Sequence, residues 1–306
     1  SGPVRLRTVT AGLGLLDGTV AARDIRGRIF KGGLYGQARV GLYRGHVQRM
    51  RKEPLIWARG GVNRLDLEPA SGGAVEALVN GSFAVRGTPS YLQGRVQAKS
   101  KILWAANQWY NDAKLDLRFR GPRYTLKKMY VKREEGGHVR VAGRIATTRT
   151  GKVDLKVDVS RLPLAAVPGL DGEKPPVAGI VNARNLRVGG SFAAPVLEGT
   201  IALVRAKIRG VPAGNGEVRL IPQNDHTKLE GQILSWLQLV RGRLALGGNR
   251  GVALKLRFQD VPLERFVPEL AGRGNLEGRL SGTLDLDLGA PGGVRLAKLQ
   301  IDKLSM

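Results

Sequence analysis

Cysteine is absent from this chain, so the three histidines are its only side chains with an ordinary pKa near neutrality. His46, His138 and His226 lie far apart and fit no metal-ligand spacing. Each suits a surface position. Glu134 and Glu135 are adjacent, so on a strand they face opposite ways. Asp285 and Asp287 share a face, but Leu284, Leu286 and Leu288 alternate with them, which marks a solvated strand. Gly12-Leu-Gly14-Leu-Leu-Asp17 lacks the third glycine of the dinucleotide fingerprint. Gly151-Lys152 has neither the upstream glycine nor the following Ser or Thr of a phosphate loop. No catalytic residue, metal site or cofactor site is therefore assigned, and the expected activity is not enzymatic. Function has to be sought on surfaces, and thus in the elements that shape them.

Those surfaces are strongly basic. Fifty Lys and Arg against 25 Asp and Glu give a formal charge of +25. Nucleic acid, an anionic membrane and acidic lipid headgroups all match that sign. The cations are dispersed, however. Arg5, Arg7, Arg118, Arg120, Lys156, Lys255 and Arg257 sit beside or between apolar strand positions, as on the wet face of strands. Aromatic residues are 5% of the chain, too few to interleave as stacking platforms, so nucleic acid is not an expected partner. Trp104, Trp109, Tyr110 and Trp236 have two readings: a rim touching headgroups or a partner, or a cap on one end of a hydrophobic core. No apolar run approaches the ~20 residues that cross a bilayer, and no secretory signal is present. Ser1-Gly2-Pro3 resembles a protease scar, so the chain is expected to be an excised segment of a longer protein.

Period-two alternation dominates the sequence. Val4 to Arg7, Leu65 to Leu67, Leu115 to Arg120, Val139 to Val141, Val153 to Val159, Val252 to Phe258 and Leu284 to Leu288 all show it. Each has one apolar face and one largely charged face, as in half-buried antiparallel strands. Turn signals fall at Asp17-Gly18, Gly32-Gly33, Asn80-Gly81, Gly136-Gly137, Asp171-Gly172, Gly247-Gly248 and Gly292-Gly293. Forty-three glycines suit such a turn-rich fold. Helix is scarce. Asp260 as an N-cap before Pro262-Leu-Glu-Arg-Phe-Val predicts a short helical turn, and Pro163-Leu-Ala-Ala-Val takes the same role. Lys101 to Ala113 is expected to be a small helix or a loop, Gln232 to Val240 is ambiguous, and Glu173-Lys-Pro-Pro reads as a loop.

The chain also repeats itself at an offset of 99 residues: Val141–Leu164 set on Val240–Leu263 without gaps gives nine identities in 24 positions. Chance would give roughly one or two. Gly179-Ile-Val-Asn182 against Gly278-Arg-Leu-Ser281 keeps the same offset. A further element, Pro followed at four or five residues by Gly and a strand, recurs at Pro89 to Gly94 and Pro195 to Gly199, with a degenerate copy opening at Pro291.

Gly143-Arg-Ile, Gly242-Arg-Leu, Pro195 to Gly199 and the Leu162-Pro-Leu turn running to Val167 together resemble the AsmA-like superfamily, and within it the TamB group. The likeness is best over Gly136–Met306, weaker over Arg5–Gly94 and poor over Lys101–Ala113. It implies a β-sheet curled lengthwise into a half-pipe, aliphatic inside and polar outside. It also implies a periplasmic protein anchored in the inner membrane of a Gram-negative bacterium. Phospholipid transport to the outer membrane, and outer-membrane biogenesis through protein translocation and assembly, come with it. An outer-membrane barrel partner of the TamA/BamA type, engaged through a C-terminal region, is part of the same implication.

The expected fold is all-β: one elongated, curled antiparallel sheet with a few short helical turns. Residues 1–135 would form an N-terminal groove segment and 136–306 the repeats, as one continuous domain. The inward residues would be Val139, Val141, Val153, Leu155, Val157, Val159, Ile201, Leu203, Val252, Leu254, Leu256, Phe258, Leu284, Leu286 and Leu288. Alternation is the same whether this face seals as a core or stays open as a trough. An open trough would suit acyl chains, which gain about 0.8 kcal/mol per buried CH₂ without directional bonds. The expected function is binding and conducting phospholipid along that groove; the alternative is assembly of outer-membrane barrels through strand addition at sheet edges.

Overall fold

A computed structural model describes residues 6–44, 47–105, 108–134, 136–164, 177–208, 210–246, 251–262, 278–289 and 294–305. The fold is all-β, an antiparallel sheet that is not closed into a barrel, with hardly any helix. The chain divides into two units. The first is built on β1 (Leu6–Leu16), β2 (Thr19–Ile29), β3 (Gly32–Arg44), β4 (Val47–Asp66), β5 (Val75–Thr88), β6 (Tyr91–Ala105), β7 (Gln108–Arg120) and β8 (Arg123–Lys132). In β9 (His138–Ala146), Arg140 onward belongs to this unit. The second contains β10 (Val153–Pro163), β11 (Val177–Gly190), β12 (Pro195–Ile208), β13 (Val211–Pro222), β14 (Thr227–Leu234), β15 (Leu237–Ala245), β16 (Gly251–Pro262), β17 (Arg279–Gly289) and β18 (Val294–Ser305). Within each unit the strands pair in sequence order, as a meander.

The meander is broken at regular intervals by bulges, in which two residues of one strand face one of the next. Asn63 and Arg64 oppose Asn80. Ser160 and Arg161 oppose Asn182, Val204 and Arg205 oppose Asn215, and Gln259 and Asp260 oppose Ser281. In each case the second bulged residue is left-handed: Arg64 at φ 53°, Arg161 at 51°, Arg205 at 55° and Asp260 at 53°. That conformation costs a residue with a Cβ roughly 1–2 kcal/mol. The residue opposite compensates by accepting the stray backbone N–H on its side-chain oxygen. Arg64 donates to Asn80 at 3.1 Å, and Arg161, Arg205 and Asp260 donate to Asn182, Asn215 and Ser281 at 2.8 Å each. Two of these bulge-and-acceptor pairs, 161 with 182 and 260 with 281, are related by the 99-residue offset of the sequence repeat. The repeat is therefore a repeat of sheet-bending devices.

Several local expectations need correction. Lys101–Ala113 is neither helix nor loop: β6 runs to Ala105, β7 starts at Gln108, and Trp104 pairs with Trp109 across that hairpin. Cross-strand aromatic packing overrides the broken alternation there. Gln232–Val240 is likewise a hairpin, of β14 and β15. Asn80-Gly81 is not a turn but the middle of β5, where Asn80 serves the bulge and a Cβ on Gly81 would strike the Gln97 carbonyl. The turn assigned to Gly32-Gly33 lies two residues earlier, at Phe30-Lys31, and Gly32 opens β3 where the backbone of Leu65 leaves no room for a Cβ. A helix the alternation concealed, α1 (Glu68–Ser71), has Pro69 in its first turn and Gly72 left-handed at its end. Beyond Leu164 and Pro262, the expected helical turns lie outside the described residues. So do His46, Glu135, the Glu173 loop, and the turns at Asp171, Gly247 and Gly292.

In the second unit the inner face packs on itself. Ala206, Ala213 and Leu234 form one buried cluster, Phe258, Val261 and Leu280 another, and Trp236 and Leu237 touch both.

If the bulge acceptors hold the fold's bends, Asn182→Ala should lower stability by about 0.5–1 kcal/mol, read from urea midpoints. Asn182→Ser should cost little, because Ser281 already performs that task at the equivalent position.

Candidate functional site

The register of β4 to β8 stacks apolar residues in rows across one face of the first unit. One row is Val62, Gly81, Ala98, Leu115 and Met129. The next is Gly60, Phe83, Val96, Leu117 and Leu126. A third is Ala58, Val85, Gly94, Phe119 and Tyr124. Large and small residues alternate along these rows. Phe119 lies over Gly94, where a Cβ would come within 2.9 Å of its ring, and its ring centroid is 6.3 Å from that of Tyr124. The face is concave and encloses a trough of about 700 Å³, lined by Val62, Leu65, Val79, Phe83, Val85, Val96, Leu103, Leu115, Phe119, Met129 and Val131. That volume falls within the roughly 300–1,000 Å³ of small-molecule sites. Its one buried hydroxyl is neutralised: Ser100 Oγ donates to the Leu78 and Ile102 carbonyls at 3.0 and 2.6 Å. Ser82, Gln97, Lys99, Lys114 and Tyr130 also border it, but its surface is almost wholly apolar, so it can hold aliphatic chains with few directional contacts.

The fifteen residues expected to face inward lie in β9, β10, β12, β16 and β17, and none of them lines this trough. The register does bring them together in rows. Leu254 pairs with Leu286, Val252 with Leu288 and Leu256 with Leu284. Val159 and Ile201 meet across Ala183, and Leu203 stands opposite Val181. Val153, Leu256 and Phe258 are buried, with Phe258 inside a packed cluster. Val139, Val141, Leu155, Val157, Val159, Ile201, Leu203, Val252, Leu254, Leu284 and Leu286 are half-buried. Of the trough residues, Leu65, Leu115 and Phe119 lie in stretches whose alternation is plain, but none was expected as a groove residue, and Leu78 and Ala84 blur the pattern around Val79, Phe83 and Val85.

The amphipathic aromatics divide between their two readings. Trp236 donates from Nε1 to the Ala213 carbonyl at 3.1 Å and caps the packed clusters. Tyr110 is buried, which pushes its hydroxyl pKa up against the opposing pull of Arg133. Trp109 is 56% exposed. His138 meets Asp158 at 3.1 Å and His226 meets Asp225 at 2.7 Å, at separate places on the surface. Among the described residues no group of His, Asp and Glu gathers with the geometry of a metal site. No described helix is long and apolar enough to cross a membrane.

The opposite, outer face of the first unit is polar. Arg39 and Arg59 flank the Trp57 ring at 5.5 and 5.3 Å. Arg95 grips Asp116 with two hydrogen bonds, Nε to Oδ1 at 2.9 Å and Nη2 to Oδ2 at 2.5 Å. The hydrogen bond from Arg95 is the main reason the Asp116 carboxyl pKa lies below its ordinary value.

No protein-family model matches this chain, and comparison with curated proteins and with solved structures finds no similar protein.

Because the Asp116 pKa is lowered by folding, its ion pair stabilises the fold above the ordinary value of 3.8 and is lost as pH falls through the depressed one. Asp116→Asn should thus be less stable than the parent at neutral pH. The gap in urea midpoints should close in strong acid; a gap that persists there would show that the carboxylate charge is not what stabilises.

Proposed function

We propose that this protein binds acyl chains of phospholipid in the trough of its first unit and lets them slide along it. The observation that carries this reading is the 700 Å³ concavity whose rows are aliphatic and aromatic from β4 to β8. A chain seated there gains about 0.8 kcal/mol per CH₂ removed from water. Because the surface it meets is almost wholly apolar, neighbouring sites along the trough have nearly equal energy, which is the condition for transfer rather than storage. The resemblance of the sequence motifs to the AsmA-like superfamily supports reading it as a TamB-like lipid carrier of the periplasm, tethered to the inner membrane and serving the outer one.

A second reading rests on β1, which among the described residues is in register with β2 and on which Leu13, Leu15 and Leu16 are 74–77% exposed. An edge strand with that much apolar surface can accept another strand, as an assembly factor for outer-membrane barrels would.

Purified protein should carry phospholipid detectable by extraction and mass spectrometry. Val96→Glu and Leu115→Glu each put a charge into the trough and should reduce the bound lipid at least about tenfold, with the β-sheet circular dichroism unchanged. Protein that carries no lipid and takes up none from micelles would refute the transfer reading. Proline substitutions along β1 should leave lipid binding intact and abolish any strand-addition activity.

A further inference from the structure

The outer face of the first unit, directly behind the trough, has a concavity of its own. Two adjacent rows of the register define it. One runs Tyr35, Gly61, Ser82, Gln97, Asp116, Lys128; the other runs Asn63 to Asn80, then Lys99, Lys114, Tyr130. Gly61 and Ser82 make a low floor. Tyr35 lies over Gly61, where a Cβ would strike its phenol ring, and forms one wall. Lys99, Lys114 and Lys128 stand at the other. The cavity holds about 630 Å³.

The charges at this wall are unbalanced. Lys99 and Lys114 are directly opposite each other on β6 and β7. Like charges so placed destabilise a sheet unless an anion lies between them. Lys114 is drawn aside to Asp112 at 2.8 Å, on a pair about half exposed, where such contacts contribute little. Asp116, the one carboxylate within the cradle, is already held by Arg95 and by Gln97. Lys128 leans on the Tyr130 ring at 5.5 Å, and Lys99 has no carboxylate partner among the described residues. Three lysines thus line one hollow that is also bordered by the hydroxyl of Ser82 and the amide of Asn63.

We propose that this outer cradle binds a phosphate group, free or as part of a lipid headgroup, through Lys99, Lys114 and Lys128. Strand alternation sets these lysines on the face opposite the apolar rows, and Ser82, Gln97, Lys99 and Lys114 border both cavities; the phosphate site itself does not require acyl chains in the trough. Multivalent ammonium contacts to one phosphate are charge-assisted and partly sheltered by the Tyr35 wall, which distinguishes them from the dispersed cations elsewhere on the chain.

The test uses the full chain in three forms: the parent, the cradle variant Lys99→Ala/Lys114→Ala/Lys128→Ala, and a control of equal charge, Lys207→Ala/Arg219→Ala/Arg257→Ala, from the second unit. Each is titrated with inorganic phosphate and with glycerol 3-phosphate by calorimetry. Each is also floated with vesicles of phosphatidylcholine, alone or mixed with phosphatidylglycerol. The parent should bind at least one phosphate-bearing probe. The cradle variant should lose about tenfold or more in affinity and the control less than about twofold, with circular dichroism unchanged in both. Binding of the soluble probes identifies free phosphate compounds as sufficient; binding of mixed vesicles alone assigns the site to headgroups. Equal losses in cradle and control variants, or no binding of any probe by the parent, would overturn the proposal.

Discussion

A sheet in which nearly every strand has one apolar face must cover that face with something, and the described residues include almost no helix to do it. Bending is the remaining solution, and a regular pleated strand resists sharp bending. The bulges supply it. Each places a residue such as Arg161 in a conformation that residues with a Cβ avoid, and each is held by a side-chain oxygen on the adjacent strand. Without that hydrogen bond the N–H would be lost to the ladder and the kink left to strain alone. The concave apolar face, and with it the trough, depends on this small interaction repeated from strand to strand.

The two units use the same device with different results. In the second, Trp236 and Leu237 pack against two buried clusters and bring side chains from several strands into contact. In the first, the bulkier residues are set against glycine and alanine, as with Phe119 over Gly94, so the rows stay low and the space above them stays open. Composition alone does not separate these outcomes, because both faces alternate apolar and polar with the same period.

That limit explains what the sequence did and did not reveal. Strands, their antiparallel pairing and the rarity of helix follow from period-two alternation and glycine-rich turns, and the structure shows all three. The trough itself was invisible: whether Val96 faces a neighbour or open space depends on residues two strands away. Asn80-Gly81 has the chemistry of a turn, yet Asn80 is needed opposite Arg64, a contact between residues 16 apart. Trp104 and Trp109 looked like a break in the pattern because their partner is each other. The cations misled for the same reason. They are scattered along the chain, but the register gathers Lys99, Lys114 and Lys128 at one hollow.

The bulges have one more effect, which concerns parity. In β10 the apolar residues fall on odd numbers through Val159 and then on even ones, at Leu162; in β16 they are even through Phe258 and odd at Val261. Each bulge is thus a one-residue frameshift in the pleat, and the sequence beyond it is written in the shifted frame. Removing one of the two bulged residues would merge the frames into a straighter, more regular strand that kept its apolar face but lost its bend, whereas a residue removed elsewhere would turn the stretch between it and the bulge inside out. Substitution at these positions is a local matter, whereas a change in length is not, and lineages of such a protein would drift in composition far more freely than in spacing.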